Sequence, residues 1–254
     1  MQFDFLTFLI VCPLVFAAGF VDAIAGGGGI ISLPAFMIAG LPVHNALGTN
    51  KLAASFGATV SAVRYGMQGY IKYAQVLPAV VFAYAGSSLG SKCALLIDER
   101  IFKFIMLAVI PATAAFLLFR KKIFDEKEPF TVPKTVLISC IASLTIGFYD
   151  GIYGPGTGTF LILLFTNAAH MKLTEANGAA KAINLTTNIA SLIVYLLNGV
   201  VIFPLGLTAG CFNLVGSYLG TKCFDKGGAK TVRPIMLVVM ALFFVKIITE
   251  LITG

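Results

Sequence analysis

The chain has 254 residues, of which 58% are hydrophobic and only 11% are charged, with a net charge of +7 and a mean hydropathy of +0.94. A soluble domain carries about 25% charged residues, so this composition excludes an ordinary water-soluble domain and indicates a chain that lies mostly in lipid. The basic residues are scattered over short connections and form no soluble basic domain, so we expect no nucleic-acid partner.

Apolar segments follow one another along the chain, and we predict that each is a helix because lipid leaves the backbone groups of an open strand unpaired. In the first half the segments are 5–25, 30–39, 46–65, 75–97 and 101–119. In the second half they are 135–153, 159–169, 176–197, 203–223 and 232–252. Most are about 20 residues long and can span a hydrocarbon core, whereas the second segment of each half suits a half-helix or a re-entrant arm.

The two halves of the chain repeat each other. GFVD at 19–22 returns as GFYD at 147–150, and GSSLG at 86–90 returns as GSYLG at 216–220. Internal repeats of this kind, each with a break at the same place, are typical of transporters. We therefore predict an all-α polytopic membrane protein with about 8–10 membrane segments. Its parts are a first transmembrane repeat (1–119), a polar linker (120–134) and a second transmembrane repeat (135–254).

The basic residues predict how the two repeats are oriented, because cytoplasmic connections carry an excess of Lys and Arg. An even number of crossings per half would divide the cations almost equally between the two faces. An odd number inverts the second half and places most of them on one face: Arg64, Lys72, Arg120, Lys121, Lys122, Lys127, Lys134, Lys222, Lys226, Lys230 and Arg233. The opposite face then holds Lys92, Arg100, Lys103 and Lys246. We therefore expect inverted repeats, with the cation-rich face in the cytoplasm.

A glycine-rich segment interrupts each half at the same place. The glycines are Gly26, Gly27, Gly28 and Gly29 in the first half and Gly154, Gly156 and Gly158 in the second. Glycine is unfavourable inside a helix, so each segment predicts a break. A break at membrane depth must face protein or a wet cavity, and the N–H groups near Ile30 and Thr159 then form a candidate anion site. The alternative is close packing of helices at small residues.

Two acids, Asp22 and Asp150, precede these breaks at equivalent positions. An ionisable group inside an apolar segment is costly, and such groups are functional candidates by default. We consider both acids candidates for proton coupling. The alternative is that each caps a broken helix or lies at the membrane interface.

Polar side chains also mark the third segment of each half. Lys51 and Lys181 occupy equivalent positions, and Asn50, Asn184 and Asn188 accompany them. In the second half these residues share one face of a helix, which is typical of a pathway or of interhelical hydrogen bonds. A lysine is the residue expected beside an anionic substrate, so all five are candidate substrate-binding residues. The alternative for the lysines is that they extend to the membrane interface.

These motifs resemble those of the sulfite exporter TauE/SafE family. The resemblance rests on the pattern GF-x-D-x-x-x-G-x-G from residue 19, the Leu-Pro pair at 33–34, GTNK at 48–51 and GSSLG at 86–90, with weaker copies in the second half. It covers essentially the whole chain. It implies a multi-pass permease of the cell (inner) membrane whose partners are the lipid bilayer and a small anion, such as sulfite or an organosulfur or organic anion.

The sequence leaves other functions open. An anion channel could share the repeats, and an intramembrane aspartyl protease could use the two acids as a pair that shares one proton. The sequence contains no recognisable metal-ligand cluster, phosphate-binding loop or Ser/His/Asp constellation, so we expect no cofactor, no metal and no enzymatic activity. Whether the protein forms a homo-oligomer is left open.

Overall fold

A computed structural model describes residues 5–102, 104–106, 108–109, 112 and 128–224. The helices described over their whole length are α1 (Phe5–Ala25), α2 (Gly29–Ile38), α3 (Val43–Met67), α4 (Tyr73–Leu96), α5 (Val132–Ile152), α6 (Thr157–Asn167), α7 (Leu173–Leu197) and α8 (Phe203–Phe224). The predicted segment 232–252, Lys226 and most of the polar linker lie outside the described residues, and 101–119 is described only in part.

In the part of the chain that the structure describes, the predicted all-helical architecture is confirmed, and the helix ends differ from the predicted ones by only a few residues. Within the described ranges, four helices, α1, α4, α5 and α7, are long and apolar enough to cross a membrane. The other two apolar helices of note, α2 and α6, are much shorter. The predicted difference in length between the first and second segments of each half is therefore present in the structure.

Each short helix folds back along the helix that precedes it. Ile30 and Ile31 of α2 pack in one buried cluster with Val21 and Ile24 of α1. In the second half, Leu161 and neighbouring residues of α6 pack in one buried cluster with residues of α5. The glycine-rich segment between each pair of helices is therefore a tight reversal that lies inside the protein.

The central helices α3 and α7 run in opposite directions beside each other. Near the beginning of α3, the Asn45 amide donates to the carbonyl oxygen of Val200, which follows the end of α7. Just beyond the opposite end of α3, Lys72 Nζ lies 3.7 Å from an Oε atom of Glu175 in the first turn of α7. The helices α3 and α7 contain the equivalent third segments of the two halves. Equivalent helices of the two halves therefore run in opposite directions.

The outer helices pack across the halves through closely spaced glycines. A Cβ atom on Gly90 of α4 would lie 2.1 Å from the carbonyl oxygen of Phe148 in α5. A Cβ atom on Gly220 of α8 would lie 2.5 Å from the carbonyl oxygen of Phe20 in α1. These small-residue surfaces let the backbones approach. As a result, α4 of the first half packs mainly on α5 of the second, and α8 of the second packs mainly on α1 of the first.

Candidate functional site

The two glycine-rich reversals touch each other inside the protein. Gly26 has φ 75°, which only glycine adopts readily, and a Cβ atom there would lie 2.4 Å from the carbonyl carbon of Gly158. The Thr159 hydroxyl donates to the carbonyl oxygen of Ala25 at 2.6 Å. The two helix breaks therefore meet inside the protein.

A fully buried ion pair crosses this junction from the first half to the second. Lys51 Nζ of α3 lies 2.6 Å from Oδ2 of Asp150 at the end of α5, and both side chains are 3% exposed. Gly154 lies beside both groups, because a Cβ atom there would be 3.3 Å from Asp150 Oδ1 and 3.4 Å from Lys51 Nζ. The short distance makes this a charge-assisted hydrogen bond shielded from water.

A second ion pair also joins the two halves, but here the first half supplies the acid and the second half supplies the lysine. Lys181 Nζ of α7 lies 3.5 Å from Oδ2 of Asp22 in α1 and also donates to the backbone carbonyl oxygen of Asp22. The Lys181 side chain is 1% exposed, whereas that of Asp22 is 18% exposed. Each half therefore supplies the lysine of one pair and the acid of the other, and the four formal charges cancel.

A cavity that is partly open to the outside is lined by members of both ion pairs. The predicted candidates that line it are Asp22, Gly26, Gly28, Gly29, Asn50, Lys51, Asp150, Gly154, Gly158, Asn184 and Asn188. Three other candidates do not line it. Lys181 reaches Asp22 from within the protein, Gly27 is buried in the first break, and Gly156 precedes α6 with φ 86°.

Asparagine amides supply much of the polar wall of the cavity. The Asn184 amide donates to Asp22 Oδ2 at 3.4 Å, and the Asn188 amide donates to the backbone carbonyl oxygen of Asn184 at 2.7 Å. The Oδ1 atom of Asn50 is buried and has no hydrogen-bond partner among the described residues. Since buried polar groups are nearly always paired, this amide needs a partner such as water or a ligand.

The backbone donors differ from those that the sequence predicts. The N–H group of Ile30 donates to Gly27 O at 3.2 Å and that of Thr159 donates to Gly26 O at 3.3 Å, so neither points freely into the cavity. The Gly28 N–H group instead donates to Asp22 Oδ1 at 3.3 Å. The two N–H groups that the sequence singles out are therefore bonded within the breaks, whereas the Gly28 N–H group is directed at the carboxylate of Asp22.

Sequence reasoning missed several residues of the cavity wall: Ala18, Ser32, Ala54, Thr157 and Asn213. Asn213 could have been selected from the sequence, because an amide inside an otherwise apolar segment is costly unless it is hydrogen-bonded or has a function. It lies in α8 and donates to the carbonyl oxygen of Val15 in α1 at 3.1 Å. Ala18 and Ala54 carry no such signal, because an alanine in an apolar helix is ordinary.

Comparison with known proteins gives a consistent family. The model of the family described as sulfite exporter TauE/SafE matches residues 11–247. A probable membrane transporter protein, ORF9, from Sinorhizobium sp is 32% identical over 98% of this chain and 95% of its own length. A probable membrane transporter protein from Haemophilus influenzae is 33% identical over 92% of both chains, and YfcA from Escherichia coli K12, also named a probable membrane transporter protein, is 29% identical over 92% of this chain and 86% of its own. No solved structure gives a significant match.

Proposed function

We propose that this chain, which belongs to the sulfite exporter TauE/SafE family, carries a small oxyanion across the cell membrane by alternating access. Sulfite and organosulfur or organic anions are the proposed substrates. The membrane and the transport function rest on the family and on the apolar helices. The anion and the mechanism rest on the site.

One observation carries the proposal. The ion pairs Lys51–Asp150 and Lys181–Asp22, called here the crossed ion pairs, each join the two halves, and three of their four residues line the cavity. Lysine ammonium groups on opposite sides of the junction are each neutralised by an acid from the other half. An anion that leaves water requires compensating positive charge or fixed N–H dipoles, and a buried lysine supplies the former. An anion bound between the pairs would compete with the acids for the lysines, so anion binding would loosen the contact between the halves.

The same arrangement argues against a protease of the two-acid type. Such an enzyme requires two carboxyl groups within hydrogen-bond reach of each other, sharing one proton. Asp22 and Asp150 are instead each paired with a lysine in the structure. We propose instead that the acids take part in proton coupling. When a substrate anion takes over the lysine, the carboxylate loses the positive charge that favours its ionised form, so it binds a proton more readily.

The proposed function is tested by transport into proteoliposomes that contain the purified protein. We expect uptake of at least one anion from a panel of sulfite, sulfoacetate, thiosulfate and simple carboxylates, with liposomes lacking the protein as control. An imposed proton gradient should increase the uptake. Exchange of labelled for unlabelled anion distinguishes a carrier from a channel, since only a carrier accelerates uptake when the opposite side is loaded. Absence of uptake for every anion would contradict the proposal.

We further propose that the two halves are inverted repeats, an arrangement found in many transporters that work by alternating access. The antiparallel course of α3 and α7 supports this, as does the excess of cations on one predicted face. Gln68 follows α3 and Asn198 follows α7 at the equivalent position, and both are exposed.

Cysteine labelling tests the inversion with this matched pair. In a background that lacks the 5 native cysteines, Gln68→Cys should react with a membrane-impermeant thiol reagent from the cytoplasmic side only. Asn198→Cys should react from the opposite side only. Labelling of both positions from one side would mean that the repeats are parallel and would overturn the inverted arrangement.

A further inference from the structure

Each of the two crossed ion pairs consists of a lysine and an aspartate, but the two pairs differ in length and in exposure. Asp150 is 3% exposed and holds Lys51 at 2.6 Å, so this pair is short and closed. Asp22 is 18% exposed, lines the cavity and lies 3.5 Å from Lys181 Nζ, so this pair is long and partly open. An exchange of partners in the two pairs is therefore easier at Asp22 than at Asp150.

The Asp22 carboxylate lies among donors of the kind that bind a free oxyanion. The Gly28 N–H group at the start of α2 donates to Oδ1 at 3.3 Å, and the Asn184 amide donates to Oδ2 at 3.4 Å. The Lys181 ammonium group lies 3.5 Å from Oδ2. A backbone N–H group at a helix start, an amide and an ammonium group together suit a carboxylate or sulfonate-like oxyanion. All three contacts are longer than a typical charge-assisted hydrogen bond, so Asp22 fills this arrangement loosely.

A second observation indicates a ligand at the same cavity. Asn50 is 7% exposed and lines the cavity, and its Oδ1 atom has no hydrogen-bond partner in the described part of the chain. A buried amide oxygen without a partner is costly, and it is satisfied only if the cavity holds a water or a ligand that donates to it. The polar groups of the cavity wall are thus not fully satisfied by the protein itself.

We propose that the Asp22 carboxylate occupies the binding site of the substrate's anionic group and that the substrate enters this site when Asp22 accepts a proton. This inference rests on the proposed function and specifies its coupling. A proton from the open side of the cavity forms an O–H bond on Asp22, and the neutral acid releases Lys181, Asn184 and the Gly28 N–H group. The substrate anion replaces the lost negative charge beside Lys181. The proton leaves Asp22 when the anion leaves, so one proton crosses with each anion.

The charges around Asp22 are consistent with this exchange. Lys181 of α7 pairs with Asp22, while Lys51 of α3 and Asp150 of α5 line the same cavity. The residues that α2, α6 and α8 contribute to the cavity wall are uncharged. Because Lys51 and Asp150 neutralise each other, the charge balance at Asp22 is set by Lys181. Lys181 thus keeps one counter-anion throughout, first the carboxylate and then the substrate.

Binding of thiosulfate to the purified wild-type protein tests the inference, because thiosulfate does not itself titrate near neutral pH. We expect its affinity to rise as the pH falls, by up to about tenfold for each unit of pH, since one proton is bound with each anion. In Asp22→Asn, whose side chain is neutral at every pH, the affinity should no longer depend on pH. Glu175→Gln is the matched control, because it neutralises a carboxylate outside the cavity and should keep the wild-type slope.

A pH slope that persists in Asp22→Asn would overturn the inference. If this variant does not fold, infrared difference spectra of the wild-type protein decide the question. Thiosulfate binding should create the band of a protonated carboxyl group, and Asp22→Glu should shift that band; absence of the band, or a band unmoved in Asp22→Glu, would overturn the proposal. A wild-type protein that neither binds nor transports any anion of the panel would contradict the proposed function itself, whereas binding without linkage to pH contradicts only the role of Asp22.

Discussion

Replacement of Lys51 by alanine should abolish anion transport and lower the free energy of unfolding by about 3–5 kcal/mol. The reason is that Asp150 would remain buried as an unpaired charge, since its only ion-pair partner among the described residues is Lys51 at 2.6 Å. Removal of one member of a buried ion pair is far more costly than the net contribution of the pair. Transport activity in proteoliposomes and the midpoint of chemical unfolding measure the two effects.

Two further variants separate stability from function. Lys51→Ala combined with Asp150→Ala removes both charges and should recover much of the lost stability, while transport stays absent because the lysine is missing. Lys72→Ala is the surface control, because Lys72 is 52% exposed and lies 3.7 Å from Glu175. Exposed pairs contribute about 0–1 kcal/mol, so this variant should remain stable. Full transport by Lys51→Ala would exclude Lys51 from the anion site.

Replacement of Gly26 by alanine should destabilise the protein by about 2–4 kcal/mol and eliminate transport. The added Cβ atom would lie 2.4 Å from the carbonyl carbon of Gly158 and 2.6 Å from the backbone nitrogen of Thr159. These are backbone atoms, which cannot rotate away as a side chain could. The positive φ of 75° adds backbone strain. The two helix breaks would have to separate, which would move Asp22 and the start of α2 away from the second half.

Gly40→Ala is the matched control for this substitution. Gly40 has φ 90°, yet a Cβ atom there would meet no atom within 4 Å. Gly40→Ala should therefore lower the free energy of unfolding by about 1 kcal/mol through backbone strain alone, without a steric clash. Thermal unfolding of the two variants should differ clearly, and only Gly26→Ala should lose transport. Equal effects in both variants would mean that backbone strain, rather than contact between the breaks, limits the substitution at Gly26.

Crossed ion pairs suit a carrier because they link binding to movement. Each pair joins a helix of one half to a helix of the other, so any motion that separates the halves at the cavity stretches both pairs. A substrate anion that takes over one lysine weakens one of these links. A ligand shifts a conformational equilibrium only through such differential contacts. The arrangement therefore supplies a physical connection between occupancy of the site and the relative position of the halves.

Much of the fold could be predicted from the sequence because its determinants are local. Runs of apolar residues of spanning length indicate helices, and the helices α1, α4, α5 and α7 match them closely. Glycine clusters disfavour a continuous helix, and α1 and α5 end where those clusters begin. The repeated motifs also placed acids and lysines at equivalent positions, so these residues could be selected as candidates before any contact was known.

The partners of those charges were decided only by the tertiary structure. Asp22 and Lys181 are far apart in the chain, and nothing local indicates that each acid pairs with the lysine of the other half. That pairing depends on how α3 and α7 lie against each other and on how far the breaks penetrate the core. The same packing brings Asn213 and Ala18 to the cavity and leaves Asp22 more exposed than Asp150. Hydropathy and glycine content act on a residue and its neighbours along the chain, whereas the contacts of a site depend on residues that meet only after the helices have packed.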